Sequence, residues 1–419
     1  MKFRTIAIAM LAMAAAPALA AQAGPFDPEA ATQAYLSTLQ GAARAKSDAY
    51  FEGGYWLLLW GTLISVLIDY VLLRFGLSAR FRDWAERVTS KRFLQSMLYA
   101  LPYMVATAII ALPWTIYTGY FREKQYDLLS QGFGEWGKEQ LIGLAIGTIG
   151  MMVIIALVMA GIRRSPKRWW LYGTGIAVLF MAFVIMITPV FINPLFNTYK
   201  EMPAGPVRDR IVAMAQSQNI PAEHIYVFDQ SKQHKRISAN VSGLGPTIRI
   251  SLNDNLLNRT SMAETAAVMG HEMGHYVLNH VLTLTLGFSL MFGVFFWIAS
   301  RTVPWMLARW GEAWGLRGID DVAAWPVYSI VLAVLILLGT PIKNTIVRVN
   351  ESQADAFGLD VAREPDGFAS VAMKLSEYRK IDPGPVEEFV FYDHPSGHTR
   401  VKMAMDWKAK HLNDAPSAK

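Results

Sequence analysis

The stretch GHEMGHYVLNH, residues 270–280, runs straight into VLTLTLGFSLMFGVFFWIA, residues 281–299. The first half sets two imidazoles four residues apart, with a carboxylate beside the first. On a helix, positions four apart lie on one face, one turn from each other. His271 and His275 can therefore reach one metal ion at the ~2.0–2.1 Å of a Zn–N bond. The second half is apolar enough to start a membrane span, which takes about 20 such residues. The rest of the chain is organised around a helix that carries metal-site chemistry and abuts a bilayer.

Composition points the same way. Of 419 residues, 53% are hydrophobic and only 17% are charged, and mean hydropathy is +0.26, which places the chain in the membrane class. Cysteine is absent. That excludes a disulfide framework, a thiolate nucleophile and a cysteine-bound metal, so any metal must be held by His, Asp or Glu. The net charge of +6 comes from basic residues clustered in short loops between apolar runs. This is the signature of membrane orientation, not of nucleic-acid binding.

Six later stretches are long and apolar enough to span: 55–73, 97–117, 141–162, 169–191, 277–299 and 325–341. Trp56, Trp114, Tyr117, Trp169, Trp170 and Trp325 sit at their ends, as interfacial aromatics do. Asp69 lies inside the first run and is expected to snorkel toward its end. The expected fold is an all-α multi-pass membrane protein of six or seven spans, with a small α+β zincin-like catalytic insert. At the N-terminus, Lys2 and Arg4 precede a short apolar core and the small-residue site Ala18-Leu19-Ala20. Residues 1–20 read as a signal peptide, with an uncleaved first span as the alternative.

The expected organisation follows. After a polar segment at 21–50 come four spans in 51–191. A catalytic insert occupies 192–276, two spans lie in 277–341, and a polar tail fills 342–419. In the insert, HIYVFDQ reads as a strand and RISANVSGLGPTIRISLND as two strands joined by a Gly-Pro turn. Residues 254–276 read as one helix, with Thr260 or Ser261 near its start and Glu264 placed as in a capping box. The loops at 74–92 and 163–168 are strongly basic. With a cleaved signal peptide they fall inside, and insert and tail face the periplasm across a bacterial inner membrane.

Glu272 stands beside the first histidine, where it can reach a water on the metal without ligating the metal itself. Zinc lowers the pKa of such a water toward ~7, and a neighbouring carboxylate can take the proton as a peptide carbonyl is attacked. A metzincin-type third ligand is excluded, because Leu278 and Val281 stand where that pattern needs Gly and His. His280 falls on another face and reads as an interfacial histidine. In KNTIVRVNESQADAF, Asn344, Arg348, Glu351 and Asp355 form one helical stripe. A solvated face would look the same. As part of a site, Glu351 is the third ligand, Asp355 holds a ligand histidine, and Arg348 balances the carboxylates. In FYDHPSGHTRVKM, His394 and Arg400 are candidate donors to an oxyanion, with His398 as a competitor. Asn240, on an expected edge strand beside the HExxH helix, either contacts a substrate carbonyl or simply favours a turn.

PLFN at 194–197, the SANVSGLGPTIRISLNDNLL hairpin, GHEMGHY, NTIVRVNESQADAF and the His394-Pro395…Arg400 tail occur in the order and spacing of one family. Over about residues 50–405 the chain resembles the type I CAAX prenyl proteases, integral-membrane zinc endopeptidases. The resemblance implies one Zn2+ per chain on His271, His275 and Glu351, with Glu272 as base. It implies that His394 and Arg400 steady the reacting carbonyl and that Asn240 helps to place substrate. It also implies a ring of membrane helices around a water-filled chamber, and a cytoplasmic catalytic side, opposite to the side the charges indicate. The expected partners are a peptide or membrane-protein substrate and the lipid bilayer. Two alternatives differ in kind. A site-2-type protease needs its HExxH inside a span, and an inactive scaffold or chaperone has no need of the intact Glu272.

Overall fold

The computed structural model describes residues 26–243 and 248–412. The signal-peptide reading of residues 1–20 and the Gly-Pro turn of the hairpin lie outside them. The helices are α1 (Pro28–Leu36), α2 (Gly41–Arg74), α3 (Leu77–Val88), α4 (Arg92–Ile116), α5 (Arg122–Gln125), α6 (Phe133–Arg164), α7 (Trp169–Ile187), α8 (Pro206–Ser217), α9 (Asp254–Arg259), α10 (Met262–Val277), α11 (His280–Trp310), α12 (Trp325–Leu338), α13 (Thr340–Ala362), α14 (Pro365–Leu375), α15 (Pro385–Phe391) and α16 (Gly397–Lys410).

Among the described residues, five helices are long and apolar enough to cross a membrane. A sixth span arises if the bent pair α12–α13 counts as one. The positions match the six apolar stretches of the sequence. The apolar windows of the five straight spans are only 0–22% buried within the protein, so most of that surface is available to lipid. The pair α12–α13 turns by 56° at Gly339, where an added Cβ would come within 2.4 Å of the Phe295 ring. Pro341, in the first turn of α13, has no N–H to lose there. This bend carries the chain out of the span and toward the site.

At ~1.5 Å per residue the 34 residues of α2 reach about 51 Å, well beyond a hydrocarbon core of ~30 Å. The surplus projects from one end of the bundle. There the Ser47 hydroxyl donates to the carbonyls of Ser376 and Arg379, and Arg236 donates to Tyr50 and Glu123. The opposite end is closed by ion pairs: Arg82 with Asp321 at 2.6 Å and Arg317 with Glu86 at 2.6 Å. The core there packs Leu72, Tyr99, Ile155, Met159, Val303 and Tyr328. Asp69 does not snorkel. It is 2% exposed and accepts a 2.8 Å hydrogen bond from Tyr103, because a tyrosine of the neighbouring helix offers it a donor at that depth.

The insert is a four-stranded sheet in the order β1-β2-β4-β3, formed by β1 (Tyr199–Glu201), β2 (Ile225–Phe228), β3 (Ala239–Ser242) and β4 (Arg249–Asn253). β2 and β4 are parallel, and β3 pairs antiparallel to β4. β3 is thus an edge strand, and it packs beside α10. The single helix expected at 254–276 is two. The capping box read from the sequence is present: Ser261 caps α10 through the Glu264 backbone N–H, and the Glu264 carboxylate accepts from the Ser261 N–H at 2.7 Å, with 254–259 a separate helix before it. Glu264 also takes hydrogen bonds from Ser370 and Lys374, tying α10 to α14.

The contact that sets the architecture is the crossing of α10 over α13. A Cβ added at Gly270 would lie 2.8 Å from the Gly358 carbonyl, and one at Gly358 would lie 2.7 Å from the His271 backbone nitrogen. Gly274 meets Ala354 in the same way, at 3.0 Å. Small residues let the two backbones touch.

Gly358→Ala should lower the melting temperature by several degrees, the effect of about 1–3 kcal/mol of overpacking, and should lower bound metal. Gly384→Ala, where an added Cβ meets nothing within 4 Å, should change neither. Thermal unfolding in detergent and metal analysis check both. A Gly358→Ala protein with wild-type stability and metal content would contradict the close crossing. Glu264→Gln supplies a pH test. Burial raises the Glu264 pKa, but its hydrogen bonds from Lys374, Ser370 and Ser261 leave it lowered. Its stabilisation is therefore complete above the ordinary glutamate range and is lost as pH falls through the lowered folded value. The stability gap between wild type and Glu264→Gln should be wide at pH 7 and should narrow on acidification. A gap that is constant with pH would contradict the ionised cap.

Candidate metal centre

The α10–α13 crossing delivers four side chains to one point. His271 and His275 come from α10, and Glu351 and Asp355 come from α13. The two histidine Nε2 atoms are 3.0 Å apart. His271 Nε2 lies 3.2 Å from Glu351 Oε2, and His275 Nε2 lies 3.5 Å from Glu351 Oε1. Donors bonded at ~2.0–2.1 Å to a tetrahedral ion stand about 3.3 Å from one another, so the donor set fits such an ion. Glu351 Oε2 is also buried without a hydrogen-bond partner among the described residues. A buried carboxylate oxygen left in that state is costly unless a cation takes it.

The surroundings reinforce this polarity. His271 Nδ1 is 2.7 Å from Asp355 Oδ1. Asp355 is fully buried and accepts from Arg400 Nε at 2.9 Å and from a terminal guanidinium nitrogen at 2.6 Å. An ionised carboxylate only accepts, so His271 donates from Nδ1 and turns the lone pair of Nε2 to the centre. Burial opposes charge on His271, yet the neighbouring carboxylates of Asp355 and Glu351 outweigh it and push its pKa up to about 10. The pocket favours positive charge at this spot. Burial also pushes Glu272 above the usual glutamate range, with His271 and His275 opposing the shift. Glu272 lines a cavity of about 150 Å3 with His271, Val268, Phe368, His394 and Arg400.

The other sequence-derived residues divide. His394 comes in from the turn before α16, with Nε2 3.2 Å from Glu351 Oε2 and Nδ1 2.8 Å from Asp393. His398 instead pairs with Asp382 at 2.8 Å and faces a separate groove beside Lys402 and Trp407. Arg348 does not balance the carboxylates. Its donors go to the carbonyls of Glu388 and Tyr392, and Arg400 sits against Asp355 instead. Asn344 donates to the Val390 carbonyl at 2.8 Å. Both residues therefore anchor α15, whose end carries the chain to His394. Asn240 lies on the β3 edge, where its Oδ1 accepts from Ser242 Oγ at 3.0 Å. Its neighbours Ser238 and Ala239 line the cavity.

His280 is not interfacial. It is 1% exposed, and its Nδ1 is 2.9 Å from His275 Nδ1. Asn279 takes a left-handed conformation with φ of 55°, which ends α10 and folds the first residue of α11 back under it. Spacing on one continuous helix could not reveal this. An Asn just before the third histidine was the available signal. The glycines at 270 and 274, each preceding a histidine, were the signal for the close helix crossing.

Comparison with known proteins agrees with this architecture. Residues 201–408 match Peptidase family M48, and residues 31–198 match the CAAX prenyl protease N-terminal region, described as five membrane helices. The uncharacterized metalloprotease YhfN of Bacillus subtilis is 28% identical over 86% of this chain and 85% of its own. The CAAX prenyl protease 1 homolog of Homo sapiens is 25% identical over 52% of this chain, an alignment that spans 46% of the human protein. The crystal structure of S. mikatae Ste24p shares the fold with a TM-score of 0.71 at 19% identity, covering 90% of this chain and 94% of that one. The chain belongs to the family of the type I CAAX prenyl proteases, the membrane-embedded metallopeptidases of family M48.

Proposed function

We propose that this metalloprotease is a zinc endopeptidase with one Zn2+ on His271, His275 and Glu351. The observation that carries the assignment is two imidazole Nε2 atoms 3.0 Å apart, each 3.2–3.5 Å from a Glu351 carboxylate oxygen, with Glu351 Oε2 buried and without a hydrogen-bond partner among the described residues. Two imidazoles and one carboxylate suit zinc among the common divalent ions. Zinc supplies a Lewis acid and makes bound water acidic near neutral pH.

The remaining roles fall to the protein. Glu272 accepts the proton released by the attacking water and returns it to the leaving amine. Its burial supports this, since a raised carboxyl pKa is better matched to proton transfer near neutral pH. His394 and Arg400 face the same cavity and are assigned to the carbonyl oxygen of the bond being cut. Asp355 fixes the His271 tautomer, and Arg400 neutralises Asp355. An extended substrate adds to the β3 edge, where Asn240 contacts a backbone carbonyl. Peptides and membrane proteins are the substrates this arrangement suits. Several relatives are named CAAX prenyl proteases.

The site and the basic loops at 74–92 and 163–168 lie at opposite ends of the bundle. By the positive-inside rule the basic end is cytoplasmic, and we assign the catalytic end to the periplasmic side of a bacterial inner membrane. The natural absence of cysteine makes the test direct. A single cysteine at exposed Lys410 should react with an impermeant maleimide on intact spheroplasts, and one at exposed Arg168 should not. The reverse pattern would place the site in the cytoplasm.

Catalysis is tested with a quenched fluorescent peptide and purified protein in detergent. Wild type should cleave it, chelation should stop cleavage, and added zinc should restore it. Glu272→Gln should lose about a thousandfold in rate while holding one zinc per chain. A Glu272→Gln protein with wild-type cleavage would remove Glu272 from the chemistry and return the inactive scaffold as the better reading.

A further inference from the structure

The two histidines of the HExxH helix are oriented by different chemistry. His271 leans on Asp355, an acceptor whose charge fixes the tautomer. His275 leans on another histidine. Its Nδ1 is 2.9 Å from His280 Nδ1, and His280 Nε2 is 3.2 Å from Gln353 Oε1. The two rings stand 5.0 Å apart at 74°, and His280 is almost wholly buried.

A neutral imidazole has one N–H and one lone pair. If His275 offers its Nε2 lone pair to a metal, its proton sits on Nδ1 and must be donated. The acceptor in reach is His280 Nδ1. His280 then carries its own proton on Nε2, and that proton needs an acceptor, which Gln353 Oε1 provides. Each step follows from the one before. The relay also runs backward. With the Gln353 amide turned so that its NH2 faces His280, Nε2 of His280 becomes the acceptor and Nδ1 the donor. His275 then receives a hydrogen bond at Nδ1, holds its proton on Nε2 and has no lone pair for a metal.

We propose that His280 and Gln353 form a positioning relay that holds His275 in the metal-binding tautomer, so that the orientation of one amide on α13 tunes metal affinity at the site. The proposal rests on His275 being a metal ligand. It identifies His280 and Gln353 as positioning residues, acting through His275 and not on substrate.

The test uses full-length protein in detergent, zinc alone as the probe, and competition against a chromophoric chelator as the readout. His280→Phe, similar in shape but unable to accept, should weaken zinc binding about 10–100-fold. His280→Asn, which offers an oxygen to His275 Nδ1, should recover part of that loss. Gln353→Met should weaken binding in the same direction. Gln353→Glu can only accept at its carboxylate, and should bind at least as tightly as wild type. On the His280→Phe background Gln353→Glu should have no effect, which separates a relay from a general gain of negative charge. An equal gain from Gln353→Glu with and without His280 would overturn the relay, and so would unchanged affinity in His280→Phe and Gln353→Met. If His280→Phe does not fold, the two Gln353 variants decide. Wild-type protein without zinc, or His275→Ala with undiminished affinity, would overturn the metal assignment itself. Loss of zinc in His275→Ala with no effect at His280 or Gln353 would remove the relay alone.

Discussion

Backbone contact between α10 and α13 is the constraint on which the rest depends. Helix axes ordinarily pack 8–10 Å apart, at a distance set by the side chains between them. Gly270, Gly274, Ala354 and Gly358 remove those side chains. His271 and His275 on one helix then meet Glu351 and Asp355 on the other with no loop involved. A site built on two rigid helices holds its donors more closely than one built on connecting segments. The same crossing explains the bend at Gly339. α13 must leave the direction of the span to lie against α10, and a glycine packed on Phe295 gives it room to turn.

The electrostatics follow from that geometry. Glu351, Asp355 and Glu272 converge in a buried space, and Arg400 is committed to Asp355. What remains favours a cation at the centre, which is why His271 alone would hold a proton so tightly. The carboxyl-terminal segment completes the site from outside the two helices. Asn344 and Arg348, on the α13 stripe that also bears Glu351, grip the carbonyls of α15 and so set where His394 enters. One helical face thus carries both donor atoms and the anchor for the residue opposite them.

The membrane spans, the HExxH helix and the Glu351 stripe were legible in the sequence because each rests on a period. Apolar runs report length, and positions four apart report a face. What depended on a break in the period was not legible. The capping box at Ser261 and Glu264 was visible, but not the separate short helix that precedes it, and the left-handed Asn279 that turns His280 inward had no periodic signal. Tertiary partners were equally hidden. Asp69 was expected to snorkel because no donor is visible beside it in sequence, whereas Tyr103 is 34 residues away. Arg348 was matched to the carboxylates by its place on the stripe. The nearer cation, Arg400, comes from a segment whose approach only the fold determines.

X-ray absorption at the zinc edge of the purified protein reads the ligand set itself. Two imidazoles and one carboxylate predict one zinc per chain, four light donors at ~2.0–2.1 Å and the multiple-scattering signature of two imidazoles. In His275→Ala that signature should fall to one imidazole or the metal should be lost. A metal with no imidazole scattering, or with three histidines, would contradict the assignment of His271, His275 and Glu351 as its ligands.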